Sequence, residues 1–591
     1  MGKLDLIEEN SQLIFHSIEN NDFTFLVSTG VVPLLQFISK IENTKYLFVS
    51  DDTSLATRFK NVPYQTSVYD SRFSVVGSSW VTYDLCIYLI SEDVRFFELF
   101  DFIILDGIDD REPESEYLFS LMLNLKMIGK YIIPLKSNFK TELYTGFVGN
   151  FGYTSNVLKL KEEPSKSVYY LPSDPSNLNK EIIKTINDIL VIEKSLEQCD
   201  ILVMLSSFNE IQVFKTQLVD ADIKHDFSIL TDLSAYKTIG AHRRVILATD
   251  SKILRDVDHR IRYIVDSGVM KLKKFDECGL ESFSTRFTNR NQILQHLSIL
   301  EHGNSSYFGM FVEDKIVDFE YGINDCFLVQ LLYFLKIGLD VEKFEFLKSP
   351  MEQVIKSAIN LSIYLGLVKI EDGSEIKLTE LGSTVMKFQV ELEISSLSLF
   401  IALSISNRFN STNELLKISS LLLSCNVDSL SRDLKNFNHH KTRTHDVPQS
   451  DFLTLLNIFD TMIENQQHIK QSSQVFRDSV MSKEAKKQIL HCFKQLRSKL
   501  NQPVNFERAI EDDIQKCLFS GFQLHASTVL QNVSNPGTIE LEPILSKRPD
   551  RLNEMDKVKI ILTSDLYENN DIIIYHSREY FFSLLLLTFA L

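Results

Sequence analysis

The residues best suited to chemistry in this sequence sit where short apolar runs end. "FDFIILDGIDD" closes its run on Asp106, and "FTFLVSTG" closes on Thr29 and Gly30. A carboxylate at the rim of a buried strand can hold Mg²⁺ against a phosphate, and a glycine turn after a strand can bring backbone N–H groups up to phosphate oxygens. Handling a nucleoside triphosphate would need both. Each is incomplete. Gly107 follows Asp106, where a second carboxylate would be required to activate water. After Gly30 come Val31 and Val32, with bulk where a backbone must approach a phosphate, and Pro33, which has no N–H.

Other polar groupings are weaker. Basic clusters occur at Arg243 and Arg244, at Lys271, Lys273 and Lys274, and at Lys547, Arg548 and Arg551; the plain reading of each is a solvated strand or loop edge. His439, His440 and His445 lack the cysteine or paired carboxylate that would complete a metal set, so no metal site is expected. The 7 cysteines never form a C-x-x-C pair, which points to a reducing compartment and to neither zinc nor a disulfide framework. The net charge of −17 argues against a purely electrostatic nucleic-acid binder while leaving room for one basic channel.

These residues need elements to hold them. A chain of 591 residues predicts several domains. From Asn21 to about Leu160, β-rich runs such as "KYLFVSD" and "KYIIPLK" alternate with helical segments, the pattern of βαβ units on a parallel sheet. The alternation repeats from "KEIIKTINDILVIEKSL" through "DILVMLSS", "RRVILATD" and "IRYIVDSG". After about residue 320 the spacing turns helical, and the last segments return to strands, predicting a small β-barrel. The N-terminus lacks a signal-peptide run, and the apolar stretch Tyr580–Leu591 falls short of the roughly twenty residues that span a bilayer. A nuclear or cytoplasmic location and no membrane partner are expected.

Against known families, the chain resembles the DEAH-box RNA helicases of spliceosomal and ribosome-assembly type over nearly its whole length. The likeness rests on "DILVMLSSFNEI" (motif IV), "RRVILATDSKILRDVDHRIRYIVDSGVMKLKKFD" with "CGLESF" (motif V and its hairpin), "SPMEQVIKSAINLSIYLGLV" with "LTELG" (winged helix), "SDFLTLLNIFDTM" (helical bundle), and "CLFSGFQLHAS" with "DIIIYHS" (oligonucleotide-binding fold). It implies an α/β fold class with two tandem RecA-like parallel-sheet domains, over 1–165 and 166–320. A winged helix over 321–388, a ratchet-like helical bundle over 389–503 and an OB-fold-like domain over 504–591 follow.

The same resemblance exposes what is missing. In an ungapped reading Pro33 takes the place of the phosphate-binding lysine, Gly107 that of the catalytic glutamate, and Pro134-Leu135-Lys136 that of Ser-Ala-Thr. Gln295 keeps the head of motif VI, but its arginines fall on His296, Ile299 and His302. A general base contributes about 10²–10⁴-fold in rate and an arginine finger about 10³–10⁵-fold. Thr29, Gly30, Asp106 and Gln295 are therefore remnants of a nucleotide site, and no catalytic residue is assigned. In motif Ia the arginines have become Thr53 and Ser54 beside Asp51 and Asp52, which would repel phosphate. Thr249 of motif V and Lys271, Lys273 and Lys274 of the hairpin are the candidate RNA contacts.

The expected function is a helicase-like protein without catalysis, serving as scaffold or cofactor in an RNA–protein assembly such as pre-mRNA splicing or ribosome biogenesis. Its partners would be RNA, proteins of that assembly, or both, and no cofactor is assigned. A divergent active helicase, using ATP and Mg²⁺, and a protein-interaction module without RNA are the alternatives.

Overall fold

The computed structural model describes residues 7–27, 34–35, 38, 41, 44–51, 64–70, 77–110, 113–135, 141–160, 167–192, 200–221, 227–231, 243–249, 261–275, 281–300, 305–316, 327–371, 375–392, 394–424, 452–453, 455–460, 483–501, 504, 508–523, 526–531, 539–543 and 560–562. It opens with helix α1 (Ser11–Asn20) and strands β1 (Phe23–Val27), β2 (Tyr46–Val49), β3 (Tyr64–Gln65) and β4 (Ser79–Val81). Next come α2 (Tyr83–Glu92), β5 (Phe102–Leu105), α3 (Pro113–Asn124), β6 (Tyr131–Leu135), α4 (Thr141–Asn150) and β7 (Ser155–Lys159). The seven strands form one parallel sheet in the order β3-β4-β2-β5-β6-β1-β7. A sheet buried on both faces needs apolar residues without alternation, and "FTFLV", "YLFV" and "YIIPL" supply them.

The second sheet gathers β8 (Ser167–Tyr170), β9 (Asp200–Met204), β10 (Ser228–Leu230), β11 (Arg244–Ala248), β12 (Ile261–Asp266) and β15 (Ser306–Gly309). Its order is β10-β11-β9-β12-β15-β8, again all parallel. Helices α5 (Leu178–Ile192) and α6 (Phe208–Asp220) belong to it. Between β12 and α7 (Arg290–Ile299), strands β13 (Val269–Phe275) and β14 (Glu281–Phe287) make a separate antiparallel hairpin.

The C-terminal part is helical first. α8 (Leu328–Ile337) is almost wholly buried and stops at Gly338, whose φ of +82° is the left-handed cap that glycine favours. α9 (Glu352–Tyr364), an antiparallel hairpin of β16 (Val368–Ile370) and β17 (Ile376–Leu378), and α10 (Glu380–Val385) follow. α11 (Ile394–Ile405), α12 (Thr412–Ser424), α13 (Lys483–Leu500) and α14 (Glu511–Gly521) form the bundle, with α12 on α13 and α11 on α14. Gly521 admits close helix contact, since a Cβ there would stand 2.4 Å from that of Ala402. β18 (Ala526–Gln531) pairs antiparallel with β19 (Ile539–Pro543) and β20 (Ile560–Leu562). The two parallel sheets have the tandem RecA-like plan expected, and the later elements are consistent with the order winged helix, bundle, small β domain. His439, His440, His445, Lys547, Arg548, Arg551, "DIIIYHS" and the stretch Tyr580–Leu591 lie outside the described residues.

Candidate functional site

Asp106 stands one residue past β5. Its N–H donates to Val49 O at 3.0 Å, extending the β2–β5 ladder by one step. Gly107 then turns the chain at φ +84° into the 3-10 turn Ile108–Asp110. An L residue in the left-handed region costs roughly 1–2 kcal/mol that glycine avoids. The position where a glutamate would activate water thus has a backbone that disfavours glutamate.

The Asp106 side chain is 6% exposed, and one oxygen accepts a 3.0 Å hydrogen bond from the Ser50 hydroxyl. Ser50 follows β2 directly, and the parallel register pairing Val49 with Leu105 carries it alongside Asp106. Two aromatic side chains fix the pair. Trp80 Nε1 donates to Ser50 O at 3.2 Å, and the Tyr83 hydroxyl donates to Asp106 O at 2.7 Å. Burial first, then the charges of Asp106 and Asp51, push the Tyr83 hydroxyl well above the usual phenol range, so it remains a donor. Asp51, an acid of motif Ia, accepts from the Tyr83 N–H at 3.1 Å. The Asp106 carboxylate is buried and bonded to Ser50 within the protein, and glycine stands where the resemblance sets the base.

The opposite wall is α7. Asn289 and Gln292 start it with a reciprocal capping box, and the helix lies against the Ile108–Asp110 turn of the first sheet's domain. The fold therefore brings Asp106 and the helix bearing Gln295 together, with Gln295 half-buried. His296, which the ungapped reading sets at the first arginine position of motif VI, is turned inward. Its Nδ1 lies 2.8 Å from Asp266 Oδ2, at the end of β12. Asp266 also accepts from the Tyr307 hydroxyl at 2.7 Å and the Gly268 N–H at 2.8 Å. Burial alone would raise the Asp266 carboxyl; His296, Gly268 and Tyr307 outweigh it and hold the group below its ordinary value. Gly268 is needed there, since its φ is +73° and a Cβ would come 2.0 Å from the Phe311 ring. Ile299, at the second arginine position, is 1% exposed and packs with Ile293, Ile264 and Leu300.

The remaining expected site residues are scattered. Thr29, Gly30, Pro33, Lys136 and His302 lie outside the described residues. Thr249 is exposed just past β11. Lys271, Lys273 and Lys274 occupy β13, opposite Thr285, Phe283 and Ser282 of the hairpin. Arg244 is structural: its guanidinium clasps Asp200 at 2.8 and 3.3 Å, both residues buried, at the start of β11. Arg243 donates to Leu190 O at 3.2 Å. Among the described residues no group of three His, Cys, Asp or Glu could hold a metal, and no helix is long and apolar enough to cross a membrane.

Sequence reading missed Ser50, Tyr83 and the Asp266–His296–Tyr307 cluster. One signal for Ser50 was present. "YLFVS" and "FIILD" are matching apolar runs, each followed at once by a polar residue, so parallel neighbours would set Ser50 and Asp106 side by side.

Two parallel sheets, whose domains meet where α7 touches the turn after Asp106, followed by a long helical part, define the tandem RecA-like class of fold. No family model matches the chain. It is 23% identical over 346 residues to ATP-dependent RNA helicase DHX33 of Mus musculus, covering 56% of this chain and 47% of that protein. With DHX33 of Homo sapiens it shares 22% over 508 residues, covering 79% and 69%. With the putative pre-mRNA-splicing factor ATP-dependent RNA helicase C20H4.09 of Schizosaccharomyces pombe it shares 24% over 481 residues, covering 75% and 70%. The chain thus spans about half the length of the mouse relative. Two crystal structures of Escherichia coli HrpB, titled as a DExH-box NTPase and as a DEAH/RHA helicase, superpose with TM-scores of 0.64 and 0.66 at 15% and 14% identity. The matches cover 92% and 97% of this chain and 63% and 70% of those chains, and at such identity they show the fold. In sequence and in fold the chain is similar to the DEAH-box RNA helicases.

Proposed function

We propose that this protein is a helicase-like scaffold that does not hydrolyse nucleotide and serves an RNA–protein assembly, in pre-mRNA splicing, the setting one relative's name carries, or in ribosome biogenesis, as the family resemblance implies. The observation that carries the reading is the Asp106 carboxylate, buried and bonded to Ser50, with Gly107 in a left-handed turn where the base would stand. The inward turn of His296 and Ile299 supports it from the other wall, because side chains committed to their own domain's core cannot reach a γ-phosphate. Losses of lysine, base and arginines multiply in rate. The scaffold then contributes shape and surface in place of work.

The test is ATP binding and RNA-stimulated ATP hydrolysis on the purified chain, with Asp106→Ala alongside. The expected result is no turnover above background in either protein. Turnover that Asp106→Ala abolishes would establish the divergent active enzyme instead.

A further inference from the structure

The outer face of α13 carries a row of positive charge that no part of the function above has used. Within the helix Glu484 is the sole acid among Lys483, Lys486, Lys487, Lys494, Arg497 and Lys499, on a chain of net charge −17. Ile489, Cys492, Leu496 and Leu500 are buried, and this apolar side packs on α12. One flank ties the helix to the first α/β domain, where Gln488 Nε2 donates to Tyr69 O at 3.1 Å and Lys499 bonds the Tyr88 hydroxyl; Lys499 also donates at 3.2 Å to Lys387 O, just past α10. At 3.6 residues per turn, Lys487, His491, Lys494 and Ser498 fall opposite the apolar side. Lys487, Lys494 and Ser498 are exposed, and Lys486 and Arg497 border the row.

A solvated charged face is the ordinary explanation, and it predicts local neutralisation. Other helices behave that way: Lys184 pairs with Glu181, Lys356 with Glu352 and Lys516 with Asp513, each one turn apart. On α13, Lys486, Lys487 and Lys494 have no acidic partner among the described residues. We propose that this face docks an RNA phosphate backbone, a surface that rests on the RNA-assembly reading above and gives it a location. The Cα positions of Lys487 and Lys494 are separated by about 10 Å of helix rise, comparable to about three phosphates of a stacked strand at 3.4 Å each. The row offers cations and small polar groups and lacks the aromatic or aliphatic anchors that carry protein–protein affinity. Docking here reads charge and not sequence.

The experiment measures anisotropy of a fluorescein-labelled oligouridylate titrated with the full chain between 50 and 200 mM salt. For single strands the slope of log affinity on log salt is about −0.7 per phosphate neutralised. Lys487→Ala/Lys494→Ala should flatten it by about 1.4 and weaken binding, with an unchanged circular dichroism spectrum; Lys184→Ala/Lys356→Ala should change neither quantity. If the chain binds the oligonucleotide and the α13 variant keeps the parental slope, the surface is wrong while the RNA reading stands. If the chain binds no oligonucleotide, both fall. If poly-glutamate binds in place of the oligonucleotide and depends on the same two lysines, the face belongs to an acidic protein and the proposal is overturned.

Discussion

In the first α/β domain, the sheet face made by Phe23, Phe25, Leu47, Val49, Ile103 and Leu105 belongs to one apolar cluster with Tyr333, Phe334, Leu397, Leu496 and Phe522 of the C-terminal helices. In the second, both faces close on themselves: Ile182, Ile201, Val203 and Phe214 on one side, Leu202, Ile246, Ile264 and Tyr307 on the other. Polar contacts follow the same division. Gln389, 3% exposed, accepts from the Val68 N–H and donates to Thr66 O, both at 2.9 Å. Asn124 exchanges two hydrogen bonds with the backbone of Glu345, and Asp84 accepts from the Leu392 N–H at 3.0 Å. Among the described residues, one domain is therefore welded to the C-terminal part, while the apolar clusters of the other are its own and its α7 touches the Ile108–Asp110 turn. A shared parallel-sheet plan has not imposed a shared mode of anchoring.

Breaking the weld should have the largest effect. Phe334 is fully buried and meets Tyr117 of the first domain edge-on at 5.3 Å. Phe334→Ala should cost about 3–5 kcal/mol, and fluorescence of Trp80, the sole tryptophan and a first-domain residue, should report it as a lower urea midpoint. A Trp80 midpoint that stays put would show the two parts unfolding separately and dissolve the comparison.

The converse is Asp200→Ala, which strands Arg244 in the second domain. Removing one partner of a buried pair costs about 3–5 kcal/mol. The loss should appear in the circular dichroism transition while the Trp80 midpoint holds.

The next effect depends on pH. Because the folded Asp266 carboxyl lies below its ordinary value of 3.8, it contributes stability above that pH, which is lost as the pH falls through the folded value. Asp266→Asn lacks that contribution. Its deficit relative to the parent in urea denaturation should therefore shrink as the pH drops below about 4.

The smallest effect concerns Lys499, at the joint of the first domain with α13. Its ammonium lies 4.6 Å from the centre of the Tyr88 ring and 5.6 Å from that of Tyr69, and burial, aided by nearby Lys336 against the pull of Glu92, lowers it to about 8. Between that value and the ordinary 10.5 the unfolded chain holds more protons, so stability rises with pH across this window. Partial exposure keeps the effect modest. Lys499→Met should flatten the rise in Trp80 midpoint between pH 8 and 9.5.

The strands were legible because each is local, an apolar run that ends at a polar or glycine turn. Where displaced side chains would go was not. That His296 would turn onto Asp266 depends on how α7 packs over β12, thirty residues back in the chain. Ser50 meets Asp106 only through a register between strands more than fifty residues apart. The basic row of α13 was present in the letters, but a charged helix acquires an outside only once its inside is known.

Gly107 also has a bearing on history. Restoring glutamate at this one position would put a side chain on a backbone at φ +84° and a second carboxylate next to Asp106 in a site already closed by Ser50 and Tyr83. Reversion would need the turn, the hydrogen bond and the opposite wall to change together, with no single step rewarded. On the function proposed above, such a site would lose activity easily and would not regain it by the same path.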